Sequence, residues 1–268
     1  MKTILITGAT GTLGKSLVPL LGQNYQLRLL SRKPRPENLD KSVDWIQGNL
    51  ADGTNLTLAV NEVDLIIHAA TSPAKNPEKV DLKGTRQLVD LARKQKVSHF
   101  VYPSIIGVEQ IPLQYYQYKQ TAEDYIESSG VPFTILRTTQ FHTLIDSGLK
   151  YFNKLPLLML LPRYFIFQSI DPSEVAQRLV SLVGGGPGGR VPDFAGPRIQ
   201  TFDEMAREWF EQQGEEAKKC VNLPIPGKIA RAFRKGHNTC QSCQTASTSW
   251  QDWLRLQYAK KRYANNPN

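Results

Sequence analysis

Three glycines at a spacing of three residues, Gly8, Gly11 and Gly14, constrain the fold of this chain more than any other feature. They follow a β-branched apolar run at residues 3–7 and open an amphipathic stretch at residues 12–21. Glycines at such a turn permit a tight reversal and close packing of a helix on a strand. The helix start supplies free backbone N–H groups and the positive end of the helix dipole, which together attract a phosphate. The pattern predicts a strand–turn–helix unit that binds a dinucleotide.

Short apolar runs and longer amphipathic stretches alternate through the first half of the chain. This alternation is typical of βαβ units that build a parallel sheet. The predicted strands lie at residues 3–7, 26–31, 44–48, 63–68, 99–102 and 133–137. The predicted helices lie near residues 12–21, 53–60, 76–95 and 114–129. The predicted fold class is α/β, a Rossmann-like doubly wound parallel sheet.

The alternation ends beyond residue 138. Asp171-Pro-Ser-Glu-Val predicts a capped helix start with proline at the first helical position. After it the sequence predicts one short strand and three helices, at residues 190–195, 201–213, 226–235 and 248–260. We expect a Rossmann domain at residues 1–145. Residues 146–268 are expected to form a small, mainly helical substrate-binding region, interleaved with the Rossmann core rather than independent of it.

The formal charge of +9 comes from 33 basic and 24 acidic residues in a chain of 268. Residues 218–268 contain ten basic side chains and one acid, which leaves 23 of each sign in residues 1–217. Such a basic block is compatible with a polyanion, an anionic membrane surface, a phosphate-bearing ligand or a solvated face. It has neither repeated aromatic interleaving nor a nucleic-acid motif, so we expect a solvated face and no nucleic-acid partner.

The three cysteines, Cys220, Cys240 and Cys243, argue against a disulfide scaffold and for a reducing compartment. Cys240 and Cys243 form a C-x-x-C motif after His237. A second paired motif for zinc and a thioredoxin-like context for redox chemistry are both missing, so we expect neither a metal site nor a redox function. The apolar start is too short for a secretory signal, and the longest apolar run, residues 155–161, is far below the ~20 residues that span a bilayer. We expect a cytoplasmic protein without a transmembrane segment.

The residues after the second strand indicate which dinucleotide is bound. An acid there would hold a ribose 2′-hydroxyl, whereas a basic residue accommodates a 2′-phosphate. This chain has Ser31-Arg32-Lys33, and the planar guanidinium of Arg32 suits a phosphate. The cofactor is therefore predicted to be NADP(H). Further predicted contacts lie in the glycine turn and after the third and fourth strands, at Thr10, Thr12, Leu13, Asn49, Leu50, Ala69, Ala70 and Thr71.

Several motifs together resemble one superfamily. They are the GxxGxxG turn, Ser31-Arg32, Gly48-Asn-Leu50, His68-Ala-Ala70, Ser104, Tyr115-x-x-x-Lys119 and Leu136-Arg-Thr-Thr-Gln-Phe141. This set is similar to the short-chain dehydrogenase/reductase superfamily, in the atypical branch that includes isoflavone-reductase-like and nitrogen-metabolite-repression-regulator-like proteins. The resemblance covers residues 1–145 well and the segment from Asp171 moderately.

The resemblance implies a catalytic set of Ser104, Tyr115 and Lys119 around the nicotinamide. Lys119 would also hold the nicotinamide ribose, and Thr139 and Gln140 would lie beside the ring. Phe141 and His142 are the implied substrate contacts, although a lone histidine such as His142 is also typical of a satisfied structural residue.

Tyr115 and Lys119 are four residues apart, so they would share one helix face. A neighbouring ammonium would lower the phenol pKa towards neutrality. Tyr116 and Tyr118 crowd the same stretch, so a packing role for these tyrosines stays open. One position departs from the extended members of the superfamily, since Asp81 stands where they usually have asparagine.

The predicted function is an NADP(H)-dependent oxidoreductase that reduces a carbonyl, quinone or activated double bond of a small apolar substrate. Residues 151–167, which are aromatic and leucine-rich, could line the substrate pocket or form ordinary core or a dimer interface. Two alternatives use the same fold, a non-catalytic NADP(H)-sensing regulator and an epimerase or dehydratase acting on a nucleotide sugar. A monomer and a homodimer are both compatible with the sequence.

Overall fold

The computed structural model describes residues 1–154, 157–213 and 218–265, with side chains described up to residue 259. The chain divides into two compact units, and each collects segments from separate parts of the sequence. The first unit contains Met1–Glu109, Leu113–Arg137 and Val175–Pro192. The second contains Gln110–Pro112, Thr138–Glu174 and Asp193–Asn268.

A parallel sheet forms the centre of the first unit. Its strands, numbered in chain order, are β1 (Thr3–Thr7), β2 (Gln26–Ser31), β3 (Asp44–Gln47), β4 (Leu65–His68), β5 (His99–Ile105), β6 (Phe133–Thr138) and β9 (Gly189–Arg190). Their spatial order is β3-β2-β1-β4-β5-β6-β9. The direction of the order reverses between β1 and β4, which is where ligands bind in open α/β sheets. The Rossmann-like fold predicted from the sequence is confirmed.

Helices α1 (Thr12–Leu21), α2 (Leu56–Val60), α3 (Thr85–Lys94) and α4 (Gln114–Ser128) connect these strands, and α6 (Pro172–Gly185) comes later in the chain. Proline does begin α6, as predicted. The helix predicted at residues 76–95 has a different start, because Glu78–Gly84 is wound as a π-helix before α3. Gly84 lets this segment approach the turn after β3 closely, since a Cβ there would lie 2.7 Å from the carbonyl oxygen of Leu50.

The second unit is built from short strands and helices. They are α5 (His142–Phe152), β7 (Leu158–Leu161), β8 (Ile166–Phe167), β10 (Phe194–Ala195), β11 (Gln200–Thr201), α7 (Phe202–Gln213), β12 (Lys219–Asn222), α8 (Lys228–Arg234), β13 (Gln244–Thr245) and α9 (Trp250–Asn265). Strand β7 pairs with β12, β8 with β11, and β10 with β13. The three C-terminal helices were predicted, whereas α5 and most of the strands were not.

The single strand predicted at residues 190–195 is wrong. Gly189–Arg190 pairs with β6 in the first unit, and Phe194–Ala195 pairs with β13 in the second. Pro192 lies between the two pieces and lacks the N–H that a continuous ladder needs. The pairing of Gly189 and Arg190 also extends the first unit beyond the range 1–145 expected for the Rossmann domain.

Each unit has its own apolar core. In the first, residues from β1, β4 and β5 such as Leu5, Ile66 and Phe100 pack with apolar residues of α3 and α4. In the second, three aromatic residues, Trp209, Trp250 and Phe210, are almost fully buried among apolar side chains of α5 and β7.

The basic block at the end of the chain is only partly described. Lys228, Arg231 and Lys235 are exposed, and none forms an ion pair within the described ranges. The side chains of Lys260, Lys261 and Arg262 lie outside the described residues. Within the part of the chain that the structure describes, no helix is long and apolar enough to cross a membrane.

Candidate active site

The glycine turn lies at the carboxyl end of β1. Gly8 has φ +71°, and a Cβ on it would lie 2.7 Å from the Cα of Ala70 after β4. A Cβ on Gly14 would lie 2.2 Å from the carbonyl oxygen of Gly8. Both glycines therefore have a packing role, because the turn could not approach β4 or begin α1 with larger residues. This packing places the start of α1 at the switch point of the sheet.

The start of α1 is open to an anion. Thr10, Gly11 and Thr12 are exposed, whereas Leu13 and Gly14 are buried. No side chain caps the first turn of the helix. Its backbone N–H groups are thus left to solvent or ligand, and the helix dipole favours negative charge there.

Some side chains after β2 are hydrogen-bonded to other described parts of the protein, whereas the guanidinium of Arg32 is not. The Oγ of Ser31 accepts a hydrogen bond from the N–H of Lys33 at 3.2 Å. Arg35 is used structurally, because its guanidinium donates to the carbonyl oxygens of Val43 and Asp40. Arg32 is exposed, and its guanidinium has no protein partner among the described residues. Arg32 is thus the guanidinium in this turn that is free to meet a ligand.

Asn49 and Leu50 are both engaged within the protein. The amide Nδ2 of Asn49 donates to Asp52 at 2.6 Å, and its Oδ1 accepts from the N–H of Ala51. Leu50 is buried in the core of the first unit. The structure thus gives these two side chains roles in the loop and the core, and only the backbone of this turn is left for the predicted contact.

A directional chain of hydrogen bonds links the glycine turn to Asp81. Thr85 donates to the carbonyl oxygen of Asp81 at 2.8 Å, so the Nε2 of His68, 2.9 Å from Thr85 Oγ1, must be the donor in that pair. The other ring nitrogen, Nδ1, therefore accepts from Thr7 Oγ1 at 2.7 Å. Thr7 in turn accepts from the N–H of Ala70 at 3.3 Å. His68 is neutral, since burial and the nearby Lys119 cation lower its pKa to about 3.

Hydrogen bonds through the hydroxyl of Thr71 link the phenol of Tyr115 to the carboxylate of Asp81. The hydroxyl of Thr71 donates to Asp81 Oδ1 at 2.5 Å, and Asp81 Oδ2 accepts from the N–H of Ser72. The phenol of Tyr115 lies 3.1 Å from Thr71 Oγ1 and must donate to it, because the proton of Thr71 already points to Asp81. The three side chains form a relay, Tyr115 to Thr71 to Asp81.

The expected fall in the pKa of Tyr115 is contradicted. Burial, followed by the charge of Asp81, raises the pKa of this phenol well above its usual value. Lys119 does not counter this effect, because its ammonium points elsewhere. It donates to the carbonyl oxygen of Pro103 at 2.9 Å and lies 3.9 Å from the centre of the Tyr102 ring. Tyr115 is therefore a protonated phenol at neutral pH.

Lys119 is a buried cation between two acids. Burial lowers its pKa to about 8, while Asp81 and Glu123 act in the opposite direction. Burial likewise raises the pKa of Asp81, although the Lys119 charge and the hydrogen bonds from Thr71 and Ser72 oppose the shift. Glu123 is held by ion pairs with Arg137 at 2.5 Å and Arg190 at 2.8 Å. The two acids near Lys119 are thus held by hydrogen bonds, Asp81 by Thr71 and Ser72 and Glu123 by two arginines.

Ser104 lies on β5, and its hydroxyl is buried without a hydrogen-bond partner among the described residues. A buried hydroxyl without a partner costs free energy, so this oxygen is available to a ligand that can reach it.

The four residues predicted after β6 lie in the second unit, and all are engaged. Thr139 Oγ1 accepts from the N–H of Gly196 at 3.0 Å, and Gln140 Oε1 accepts from Asn238 at 3.1 Å. Phe141 forms an isolated bridge with Ile170.

His142 has a structural role. It is fully buried, and its Nδ1 pairs with Ser169 Oγ at 2.7 Å, while its Nε2 lies 3.2 Å from the carbonyl oxygen of Thr248. Its ring also packs against Trp250 and Trp253. Burial lowers its pKa to about 4. With both nitrogens bonded and no exposed surface, His142 is not retained as a substrate contact.

Sequence reasoning did not find Thr7 and Thr85 and assigned Thr71 only to the cofactor. Threonine at a strand end or helix start carries no distinctive signal, and these three residues lie at the end of β1, after β4 and at the start of α3. Asp81 did give a signal, because it departs from the asparagine expected at its position.

The residues present fit a dinucleotide on three observations of this structure. The glycine cradle excludes side chains at Gly8 and Gly14, the first turn of α1 is uncapped, and the guanidinium of Arg32 is free. The cradle and the helix start would hold the pyrophosphate, and Arg32, which follows β2, would meet the adenosine ribose.

Comparison with known proteins agrees with this fold. A family model described as NAD(P)H-binding matches residues 8–151, more than half of the chain. The chain belongs to this NAD(P)H-binding family, which confirms the resemblance to the short-chain dehydrogenase/reductase superfamily.

Two curated relatives and one solved structure illustrate the similarity. Photosystem II assembly factor Ycf39 of Cyanophora paradoxa is 35% identical over 52% of this chain and 46% of its own length. The (4-alkanoyl-5-oxo-2,5-dihydrofuran-3-yl)methyl phosphate reductase of Streptomyces griseus is 26% identical over 86% of this chain and 84% of its own. The triphenylmethane reductase of Citrobacter sp., complexed with NADP(H), superposes with TM-score 0.75 at 19% identity, covering 96% of this chain and 99% of the other. This chain spans about half the length of the first of these relatives.

Proposed function

We propose that this protein is an NADP(H)-dependent oxidoreductase that reduces a carbonyl, a quinone or an activated double bond of a small apolar substrate. The observation that carries the proposal is the Tyr115–Thr71–Asp81 relay, which ends at a phenol that stays protonated at neutral pH. Reduction of such a group needs a hydride and a proton. The bound nicotinamide supplies the hydride.

The phenol of Tyr115 acts as the proton donor in this proposal. Its raised pKa keeps it protonated at neutral pH. Part of the Tyr115 side chain is still exposed at the surface. As the phenol gives up its proton, the hydroxyl of Thr71 can rotate and donate to the phenolate oxygen. This hydrogen bond stabilises the phenolate without transferring a proton, since Asp81 is a carboxylate that accepts from Thr71 and Ser72. The phenol regains its proton from water after the product leaves. The relay thereby replaces the direct Tyr–Lys contact of the resemblance.

Lys119 has a positioning role for the site. Its ammonium donates to the carbonyl oxygen of Pro103 on β5 and lies over the Tyr102 ring. From there its positive charge stabilises the ionised form of Asp81. We propose that Lys119 sets the proton affinity of the relay, and that Ser104 offers its unpartnered hydroxyl to the substrate oxygen.

NADP(H) is the proposed nucleotide because Arg32 is free, while Arg35 in the same turn is not. A guanidinium binds a phosphate through two parallel hydrogen bonds. The sequence near Arg32 holds Glu37 beyond two prolines, and no acid stands at the position that would hold a 2′-hydroxyl.

The experiment that tests this function has two steps. Fluorescence titration should show tighter binding of NADPH than of NADH. NADPH oxidation is then followed with a panel of quinones, aldehydes and α,β-unsaturated ketones. Turnover of at least one class supports the oxidoreductase, and preferred binding of NADH contradicts the assignment of the nucleotide.

A non-catalytic NADP(H)-sensing protein is the second candidate, and two observations favour it. The ammonium of Lys119 is directed away from the phenol of Tyr115, and a relative at 35% identity is named as an assembly factor. This candidate predicts NADPH binding without turnover of any member of the panel. The two functions are thus separated by the second step of the same experiment.

A further inference from the structure

The C-x-x-C motif of the second unit forms a disulfide in this structure. Cys240 and Cys243 are bonded to each other with their Cα atoms 5.6 Å apart, whereas Cys220 is a free thiol. We propose that Cys240 and Cys243 are a reversible redox site, opened by a dithiol reductant, and that its state controls the order of the Thr139–Gln140 segment.

The site is open to a small or protein dithiol. Both cysteines are partly exposed, and the two residues between them, Gln241 and Ser242, are exposed. A disulfide that closes a ring over two intervening residues constrains the unfolded chain much less than a long-range bridge does. Its position at the surface and its short loop are typical of a labile bond and not of a structural staple.

The chemistry balances as a thiol–disulfide exchange. A thiolate of the reductant attacks one sulfur, forms a mixed disulfide and releases the other cysteine as a thiolate, which takes up a proton. The second thiol of the reductant then displaces the remaining cysteine. Two electrons and two protons pass to Cys240 and Cys243, and the reductant leaves as a disulfide.

A metal site at the same place is disfavoured. The carboxylate of Asp193 lies within 4.8 Å of both sulfurs, which gives three donor groups among the described residues. A structural zinc site takes four ligands. The nearby carboxylate also disfavours the thiolate form of the two cysteines, and the thiolate is the form that binds a metal.

Two anchors connect the pair to the segment after β6. On one side, the N–H of Cys240 donates to Gln168 Oε1 at 2.7 Å, and Gln168 Nε2 donates to the carbonyl oxygen of Gly196 at 2.8 Å. The N–H of Gly196 donates to Thr139 Oγ1. Gln168 is almost fully buried. A movement of Cys240 would therefore disturb hydrogen bonds in the interior of the second unit.

The flanking residues provide the second connection. Asn238, two residues before Cys240, is buried and donates to Gln140 Oε1 at 3.1 Å and to the carbonyl oxygen of Ile166. After Cys243, Gln244 pairs with Phe194 on β10, and Phe194 pairs with Thr138. The C-x-x-C turn is thus bonded on both sides to residues that contact the 138–140 segment. Opening the disulfide frees the turn and loosens these contacts.

The expected effect of the disulfide on NADPH binding rests on the proposed function, whereas its effect on the order of the Thr139–Gln140 segment does not. Thr139 and Gln140 are predicted cofactor contacts, so a looser segment should bind NADPH more weakly. The redox site itself does not depend on cofactor binding. The experiment therefore measures the thiols, the segment and the nucleotide separately.

The folded protein is equilibrated with dithiothreitol in its reduced or oxidised form, quenched with acid, and labelled with a maleimide in urea. Mass spectrometry should count one thiol after oxidation and three after reduction. The variant Cys240→Ser/Cys243→Ser should give one thiol in both states, and Cys220→Ser should give none and two. Equal thiol counts after the two treatments of the wild type overturn the redox site.

Amide hydrogen exchange is measured on the same two states. Peptides that contain residues 138–142 and 194–196 should exchange faster after reduction, while peptides from β1 and β2 should not change. Unchanged exchange of residues 138–142 overturns the coupling, even if the thiol count changes. NADPH titration is run beside it, and failure of both states to bind NADPH counts against the proposed function while leaving the redox site in place.

Discussion

Single side chains decide the chemistry of this site, and their protonation states follow from burial and hydrogen-bond direction. Thr85 donates to a carbonyl oxygen, which fixes the tautomer of His68. Thr71 donates to Asp81, which makes Tyr115 the donor at the other end. In both cases the direction of one threonine hydroxyl determines whether a titratable neighbour donates or accepts a hydrogen bond.

The free guanidinium of Arg32 leads to a prediction on nucleotide choice. Arg32→Ala should weaken NADPH binding by roughly tenfold to a hundredfold, since a hydrogen bond to a charged group contributes about 1.5–3 kcal/mol. Binding of NADH should not change, because it lacks the 2′-phosphate. Fluorescence titration with both nucleotides checks this. Lys41→Ala, which removes an exposed charge from the same loop region, is the control. An equal loss for NADPH and NADH would show that Arg32 does not bind the phosphate.

Tyr115 and Tyr118 provide a matched pair on one helix. Tyr115→Phe should lower kcat by about 10²–10⁴-fold, the usual contribution of a positioned acid. Tyr118→Phe should leave kcat close to wild type, because its hydroxyl contacts only Gln114 among the described residues. Steady-state NADPH oxidation with the best substrate of the panel is the measurement. Equal turnover by both variants and the wild type would remove Tyr115 from its assigned role.

At the scale of elements, the site depends on how closely three segments approach one another. The glycine turn contacts the end of β4, and the π-helix Glu78–Gly84 brings Asp81 to Thr71 after the same strand. A π-helical turn is often found at functional sites. Here it orients a carboxylate towards the relay while α3 continues beyond it.

The turn after β1 can be tested with a pair of glycines that share a positive φ. Gly8 has φ +71° and Gly130 has φ +76°, but a Cβ meets the Ala70 backbone only at Gly8, since nothing lies within 4 Å of it at Gly130. Gly130→Ala should cost about 1–2 kcal/mol of unfolding free energy from backbone strain alone. Gly8→Ala should cost more than that and abolish nucleotide binding.

Urea unfolding and NADPH titration of both variants provide the measurement. Normal NADPH binding by a folded Gly8→Ala protein would contradict the proposed cradle.

At the scale of the whole molecule, both units bury neutral histidines. Burial lowers the pKa of His68 to about 3 and those of His99 and His142 to about 4. His68 and His99 lie in the first unit, and His142 lies in the second. Unfolding exposes these rings to water, where their pKa is near 6.5.

This burial predicts a loss of stability in acid. Between pH 6.5 and about 4 the unfolded chain binds protons that the folded chain does not, so the free energy of unfolding falls as pH falls. Each histidine contributes about 1.4 kcal/mol per pH unit over this window. The first unit, with two such residues, should therefore lose stability about twice as steeply as the second.

Urea unfolding at pH 7 and pH 5, followed by hydrogen exchange of peptides from each unit, measures the two slopes. His99→Gln keeps an amide that can pair with Thr134 but cannot titrate, and it should reduce the slope of the first unit by about half. A pH-independent unfolding free energy between pH 7 and 5 would contradict the buried neutral histidines.

The strands of the parallel sheet could be predicted because hydrophobic periodicity and glycine spacing are local signals in the sequence. Strands β1 and β2 begin and end where the sequence predicts. The second unit was less predictable, since strands of two residues such as β8 and β11 leave no periodic pattern. The pKa of Tyr115 was also missed, because helical spacing shows that Lys119 is on the same face but does not show that its ammonium bonds to Pro103.

The sequence by itself determined the parallel α/β sheet, the glycine turn after β1 and the basic residues after β2, because each depends on neighbouring residues along the chain. Only the tertiary structure decided which side chains meet. Thr71, Asp81 and Tyr115 come from three separate segments, and Cys240 reaches Thr139 through Gln168 and Gly196. Such contacts depend on how the segments pack, and packing is set by the whole core rather than by any local pattern.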